Sequence, residues 1–218
     1  LDVAGTIRFL LDGKVHAVAD CAPTTTVLEY LRERLGRCGT KEGCAEGDCG
    51  ACTVVLAELA GADLRYRAVN ACIRFLPTLD GKALFTVESL KSAAGALHPA
   101  QRAMVECHGS QCGFCTPGFV MSLFALHRSE RHPDDAMIRH ALSGNLCRCT
   151  GYRPILAAAR RMYEFPADDA RERELREGLG SIRVTRELRL EGPGGSYIAP
   201  VTAAGLARAL AERPSATI

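Results

Sequence analysis

Residues 39–52 read G-T-K-E-G-C-A-E-G-D-C-G-A-C, and this stretch decides how the first part of the chain folds. Cys44, Cys49 and Cys52 stand in the order C-x4-C-x2-C, the plant-type ligand spacing for a two-iron, two-sulfur cluster. Gly43, Gly47 and Gly50 separate the cysteines and leave room for a loop to wrap tightly. A fourth thiolate is needed, and Cys72 is the only cysteine between Cys52 and Cys107. The loop is therefore expected to hold an electron carrier ligated by Cys44, Cys49, Cys52 and Cys72.

The surroundings of this loop read as a small α+β domain. Residues 6–10 and 14–18 alternate as strands around Asp12-Gly13, a strong two-residue hairpin signal. Val27, Leu28, Leu31 and Leu35 then repeat at helical spacing behind a threonine N-cap. After the loop, residues 53–58 and 65–71 read as two strands with Gly61 in the turn, which delivers Cys72 at the end of the second. Residues 83–88 are expected to add an edge strand.

From about residue 89 the pattern becomes helical. Pro99 suits the first position of a helix whose Ala100, Ala103, Met104 and Cys107 share one face, and Cys107 is read as a small core residue. Residues 117–127 are apolar on nearly every side, so this helix should be buried. Asp134 and Asp135 open a third helix expected to turn Met137, Ile138, Ala141 and Leu142 inward. Pro154 to Tyr163 make a fourth, completing a compact bundle.

A second set of cysteines lies inside this bundle. Residues 112–118 (C-G-F-C-T-P-G) are echoed by residues 147–154 (C-R-C-T-G-Y-R-P): a cysteine pair, a threonine, then a proline that can open a helix. Cys112 and Cys115 can converge from a turn. Cys147 and Cys149 would project together from extended chain, so each of these pairs is expected to hold one iron. A helix N-terminus close behind, with its free N–H groups, favours an anionic centre.

Composition bounds the remaining possibilities. The chain has 218 residues, 47% hydrophobic and 24% charged, as expected of a globular protein. Lys+Arg 27 against Asp+Glu 25 indicates no nucleic-acid partner. No apolar run is long enough to span a bilayer, and residues 1–20 carry no signal-peptide pattern, so a cytoplasmic setting is expected. Eleven cysteines, an odd number, argue against a pure disulfide framework. Eight fall into the two sets of four; Cys21 and Cys38 are read as ordinary thiols. Structural zinc uses the same donors, but the x4-then-x2 spacing and the C-x-C pair are unlike usual zinc-ribbon spacing. No nucleophile–base constellation and no G-x-G-x-x-G before a helix are visible, so no catalytic residue is assigned.

Residues 165–196 read as a charged, solvated linker, and a new unit is expected from Tyr197, with Leu206 and Leu210 on the inner face of its helix.

Four stretches are specific enough to carry a family resemblance: residues 41–53 (K-E-G-C-A-E-G-D-C-G-A-C-T), 69–72 (V-N-A-C), 109–118 (G-S-Q-C-G-F-C-T-P-G) and 144–154 (G-N-L-C-R-C-T-G-Y-R-P). Together they resemble the iron–sulfur part of the molybdenum hydroxylases, which include xanthine dehydrogenase, aldehyde oxidase and bacterial carbon monoxide dehydrogenase. The tail resembles the opening of the FAD domain in bacterial xanthine dehydrogenase small subunits, and the resemblance implies that the chain is a segment of a longer one. The resemblance implies an α+β architecture in four parts. Residues 1–88 would form a β-grasp, plant-type [2Fe–2S] ferredoxin domain and 89–165 an all-α four-helix [2Fe–2S] domain. Residues 166–195 would be a linker, and 196–218 the start of an α+β FAD-binding domain.

The same resemblance implies electron transfer for an enzyme that turns hypoxanthine or xanthine into urate. A separate large subunit would bind molybdopterin and carry the hydroxylation site, in a heterotetramer of two small and two large subunits. Electrons would pass through two [2Fe–2S] clusters to FAD and on to NAD. The set Cys112, Cys115, Cys147 and Cys149 would lie nearer molybdenum, and the set Cys44, Cys49, Cys52 and Cys72 nearer the flavin. Gln111 and Cys149 would contact the pterin, and backbone N–H groups near Gly43, Gly47 and Gly50 would hydrogen-bond cluster sulfurs. The iron–sulfur subunit of an aldehyde or N-heterocycle oxidoreductase is the alternative within the family. Outside it stand a free-standing ferredoxin and a zinc-stabilised binding module.

Overall fold

A computed structural model describes residues 5–92, 94–166 and 170–218. Residues 1–4 of the expected first domain and 167–169 of the expected linker lie outside the described residues.

The chain opens with a hairpin of β1 (Ile7–Leu11) and β2 (Lys14–Val18), closed by Asp12 and Gly13 at φ 53° and 74°. Positive φ at both positions is what a tight hairpin turn with right-handed strand twist requires. Helix α1 (Val27–Glu29) starts at a capping box in which the Thr26 hydroxyl accepts from the Glu29 N–H and the Glu29 carboxylate accepts from the Thr26 N–H. It runs directly into a π-helical turn, Tyr30–Arg34, whose wider bonding ends with the Leu35 N–H on Tyr30 O.

Strands β3 (Thr53–Ala60), β4 (Asp63–Asn70) and β5 (Ala83–Phe85) complete a five-stranded sheet in the order β2-β1-β5-β3-β4. The edge strand expected over residues 83–88 is instead β5, confined to Ala83–Phe85 and not at the edge. It lies between β1, to which it is parallel, and β3, to which it is antiparallel. Ala83 and Leu84 are buried, because a strand covered on both faces and both sides has no polar face to show.

The sheet is the partition of the molecule. Ile7, Phe9, Leu11, Val54, Leu56 and Leu84 point to one face and pack with Val27, Leu28 and Leu31 of the first helical segment. The alternate residues Leu10, Val55, Ala57, Tyr66 and Ala83 point to the other face and join the core of the helical half. Period-two alternation thus feeds two hydrophobic cores from one sheet. Each fully buried Leu, Ile or Phe here contributes roughly 1.5–3 kcal/mol of transfer free energy.

The helical half comprises α2 (Pro99–Glu106), α3 (Thr116–Ser129), α4 (Asp135–Leu142) and α5 (Arg153–Arg161). Helix α3 is buried from Gly118 to Leu126 and lies on the sheet, which explains its lack of a polar face. Helix α2 is capped by the His98 ring, whose Nδ1 accepts from the Ala100 N–H. Helix α4 is capped by Asp134, whose carboxylate accepts from the Met137 N–H. Ile138 and Leu142 face inward as the periodicity requires, and Cys107 packs against this core. Met137, expected inside, is exposed, since it sits on the first turn away from the Ile138–Leu142 stripe.

The charged segment is more than a linker. Helix α6 (Ala170–Ser181) places Leu179 in the helical core at 1% exposure, and Ile182 just beyond it is also buried. Strands β6 (Leu188–Gly192) and β7 (Gly195–Ala199) then form a second hairpin, so Tyr197 is mid-strand opposite Leu190 and not the start of a unit. Leu188, Leu190, Tyr197 and Ala199 pack against the β-grasp core. In the last helix, α7 (Ala203–Glu212), Gly205 and Ala209 are buried while Leu206 is exposed and Leu210 half-buried, which reverses the expected inner face. Among the described residues no helix is long and apolar enough to cross a membrane.

Candidate metal centres

The first centre is the loop between α1 and β3, closed by the residues that follow β4. Its sulfurs come in two pairs. The Cys44 N–H donates to Cys49 Sγ, and the Asp48 and Cys49 N–H groups both donate to Cys44 Sγ, each at 3.3 Å. These donors follow Gly43 and Gly47 or precede Gly50. Backbone N–H groups, from Cys49 first and then Glu46 and Asp48, bring the Cys44 thiol down to about 7. Donors that favour a thiolate favour equally the negative charge of a thiolate-bound cluster.

Cys52 and Cys72 make the second pair, with the side chains of the two cysteines in hydrogen-bond contact. Burial pushes Cys52 up to about 12, because its neutral form is the one that tolerates the apolar surroundings. Gly43 is obligatory for this packing: a Cβ there would sit 2.7 Å from Cys49 Sγ. The loop is further tied down by the Asn70 side-chain amide, which donates to Gly47 O.

The second centre lies at the ends of α3 and α5. Cys115 is the N-cap of α3, so the free N–H groups of that helix open beside it. The pairing differs from the one expected along the sequence. Cys149 Sγ stands 3.6 Å from Cys112 Sγ, and Cys115 is hydrogen-bonded to Cys147. The chain bends at Arg148–Thr150 instead of running extended, so the Cys147 and Cys149 side chains part and each meets a cysteine of the other segment.

Each of these cross pairs contains one sulfur poised as thiolate and one as donor. The Phe114 N–H, followed by the Cys149 thiol, lowers Cys112, while the hydrogen bond to Cys112 raises Cys149. Burial raises Cys115 to about 12. Cys147 is lowered although burial opposes it, because the Thr150 hydroxyl and backbone both bond its sulfur; the hydroxyl oxygen lies 3.2 Å away. Tyr152, in a left-handed backbone conformation at φ 65°, turns its hydroxyl back to accept from the Cys147 N–H at 2.9 Å.

Among the described residues no three or more His, Cys, Asp or Glu side chains converge on one ion-sized point. The sulfurs come in twos, and a [2Fe–2S] cluster takes two thiolates at each iron. With four sulfurs per centre, N–H groups aimed at them and, at the first, a glycine cradle, the residues present fit such a cluster at both places. Gln111, Cys112 and Cys149 are exposed together at the outer end of the second centre.

One residue the sequence reading left without a role joins the two centres. Asn145 is 4% exposed; its side chain accepts from Ser122 Oγ at 2.6 Å and donates to Gly50 O at 3.0 Å and Thr53 Oγ1 at 3.2 Å. Its position two residues before Cys147 was the available signal, but an asparagine in a G-N-L-C stretch reads equally as a turn former.

Comparison with known proteins agrees with this geometry. A family model described as "2Fe-2S iron-sulfur cluster binding domain" matches residues 9–76, and one described as "[2Fe-2S] binding domain" matches residues 86–160. Xanthine dehydrogenase of Drosophila pseudoobscura pseudoobscura is 50% identical over 150 residues, 68% of this chain and 11% of that one. Aldehyde oxidase 2 of Cavia porcellus is 49% identical over 154 residues, 70% of this chain and 12% of that one. Among solved structures, aldehyde oxidoreductase from Desulfovibrio gigas matches with TM-score 0.65 and 32% identity, over 72% of this chain and 17% of its own. A chain of quinoline 2-oxidoreductase from Pseudomonas putida 86 matches with TM-score 0.60 and 29% identity, over 82% of this chain and 98% of its own. The chain thus spans little more than a tenth of the length of the curated relatives it matches.

Proposed function

Because the chain is a two-cluster iron–sulfur region of the molybdenum hydroxylase family, we propose that it is the electron-transfer part of a xanthine dehydrogenase-type enzyme, relaying electrons from molybdopterin to FAD and NAD. The observation that carries this reading is eight cysteine sulfurs gathered in close pairs at two centres whose segments touch each other. A [2Fe–2S] cluster bound at each place supplies one-electron transfer without making or breaking substrate bonds.

The residues of this chain bind, orient and tune. Cys44, Cys49, Cys52 and Cys72 hold the first cluster; Cys112, Cys115, Cys147 and Cys149 hold the second. The N–H groups of Cys44, Asp48 and Cys49 stabilise negative charge on the first set, and the Thr150 hydroxyl does so on Cys147. The exposure of Gln111 and Cys149 supports a contact face for the pterin of a partner large subunit, with the second centre on the molybdenum side. The first centre then faces the flavin. Two small and two large subunits make the assembly.

Reduction of the iron-loaded protein tests the reading. Two distinct two-iron electron paramagnetic resonance signals and about four irons per chain are expected, since each such cluster holds two irons. One signal, or a colourless zinc protein, overturns it. The near-equal likeness to an aldehyde oxidase supports a second reading, in which the substrate is an aldehyde or an N-heterocycle. Turnover of purines against aldehydes and quinoline by the complete enzyme separates the two.

A further inference from the structure

At the second centre the residues just past the last cysteine fold back on the ligands. Gly151 and Tyr152 stand at φ 64° and 65°, two left-handed residues in succession, and that conformation is costly for a bulky residue such as tyrosine. The bend brings the Tyr152 hydroxyl to the Cys147 N–H at 2.9 Å and the Thr150 hydroxyl oxygen to 3.2 Å from Cys147 Sγ. The Tyr152 N–H in turn donates to Thr150 Oγ1 at 3.2 Å. We propose that this turn sets the reduction potential of the second cluster, with the Thr150 hydroxyl donating to Cys147 Sγ and Tyr152 as the positioning residue that aims it. The inference rests on the cluster assignment above and deepens it.

The direction of the hydroxyl follows from its partners. Thr150 Oγ1 already accepts from the Tyr152 N–H, and a cluster-bound Cys147 is a thiolate with no proton to give. The hydroxyl hydrogen is therefore left for the sulfur. Reduction adds one electron to the bound cluster and breaks no bond. A donor on a ligand sulfur stabilises the reduced, more negative state more than the oxidised one, so it raises the potential. Cys147 is half-buried and packs against the helical core, where a hydrogen bond is less screened than in water.

Tyr152 has three anchors with which to hold this geometry. Its hydroxyl fixes the Cys147 backbone, and its own N–H fixes the Thr150 oxygen. Its ring meets Phe119 edge to face, with centroids 6.1 Å apart. Phe119 is fully buried in α3, the helix whose N-cap is Cys115, so the turn is braced against the helix that carries the partner sulfur of Cys147. A left-handed residue other than glycine persists where its surroundings over-determine it, and these three contacts do so. The first centre differs: its Cys44 and Cys49 sulfurs take backbone N–H donors, which no side-chain substitution removes. The second centre puts one removable side-chain donor on a ligand sulfur.

The test uses the full-length, cluster-loaded protein with Thr150→Val, Thr150→Ser and Tyr152→Phe. Each is titrated with dithionite through redox mediators while both electron paramagnetic resonance signals are recorded, and iron content establishes assembly. Thr150→Val keeps the side-chain shape without the hydroxyl and is expected to lower the second-cluster potential by the worth of one hydrogen bond. That is roughly a tenfold fall in the reduced-to-oxidised ratio at a fixed applied potential, or about 59 mV for one electron. Thr150→Ser is expected to restore the potential. Tyr152→Phe keeps the ring but releases the Cys147 backbone, and a smaller fall is expected. The first-cluster potential is expected to stay in place in all three. An unmoved second potential in Thr150→Val overturns the proposal, as does an equal shift of both clusters; an unmoved potential in Tyr152→Phe overturns the positioning role. If Thr150→Val fails to assemble, Tyr152→Phe decides between the same outcomes. Absence of two signals in the unsubstituted protein refutes the cluster assignment itself and is thereby distinguished from an unmoved potential.

Discussion

Replacing Gly50 with alanine strikes the junction on which both centres depend. Gly50 has φ +69°, and an added Cβ would lie 2.2 Å from Gly144 O, 2.5 Å from Asn145 Nδ2 and 3.0 Å from Asn145 Cα. Left-handed backbone costs an L-residue roughly 1–2 kcal/mol relative to glycine. The methyl must also drive the 144–145 segment back toward the ordinary 3.4–4 Å contact range, which opens the Asn145–Gly50 hydrogen bond. Leaving that buried amide unsatisfied costs about 1–3 kcal/mol. The sum is on the order of 3 kcal/mol, and for a chain of this size it lowers the melting temperature by roughly 6–12 °C.

Gly47→Ala is the internal control. Its φ is +84°, but its Cβ meets only the side chain of Ile73, which is 57% exposed and free to swing away. Only the backbone cost of about 1–2 kcal/mol remains, or a fall of roughly 2–8 °C. Thermal unfolding followed by far-ultraviolet circular dichroism, with cluster bleaching recorded in parallel, measures both. If Gly50→Ala melts no earlier than Gly47→Ala, the backbone contact at Gly144 does not constrain the junction and the reasoning is wrong.

Two further expectations come from the titrating groups. In the cluster-free chain, Cys44 is expected to be alkylated first, with half-maximal rate near its lowered value of about 7, while Cys52 and Cys115, each raised to about 12, lag behind. Mass mapping of a timed alkylation series shows the order, and early labelling of Cys52 contradicts it. His98 is pushed down to about 3 by burial, with the charges of His127 and Arg128 adding to it, and it is the neutral ring that caps α2. Its folded value lies below the ordinary histidine value near 6.5, so the unfolded chain binds the proton first as pH falls. Stability from this group is therefore complete above about pH 6.5 and declines toward pH 3 by up to ~1.4 kcal/mol per pH unit. His98→Asn retains a capping oxygen without a proton to gain, and denaturant titrations are expected to show a shallower acid limb; an unchanged slope counts against the assignment.

Local chemistry was legible in the chain itself. The Asp12-Gly13 turn, the Thr26 cap, the buried run in α3 and both cysteine sets depend on spacing within a few residues, where steric and capping rules act directly. Partners brought from a distance were not legible. Strand β5 looked like an edge because nothing in three residues reveals that β1 and β3 will flank it. The charged run hid Leu179 and Ile182, whose burial depends on where α6 docks. Residues 188–195 read as linker until Leu188 and Leu190 met the β-grasp core.

The same division runs through the centres. Spacing named the eight sulfurs, because a metal cluster demands a particular number of thiolates within reach of one loop or turn. It could not pair them in the helical half, where the bend at Arg148–Thr150 sends Cys147 to Cys115 and Cys149 to Cys112. Nor could it assign Asn145, whose hydrogen bonds reach back 95 residues to Gly50 and 92 to Thr53. The sequence determined what the centres are made of. Only the tertiary structure decided how they are joined, because a sheet with two covered faces had first to bring distant backbone within hydrogen-bonding distance.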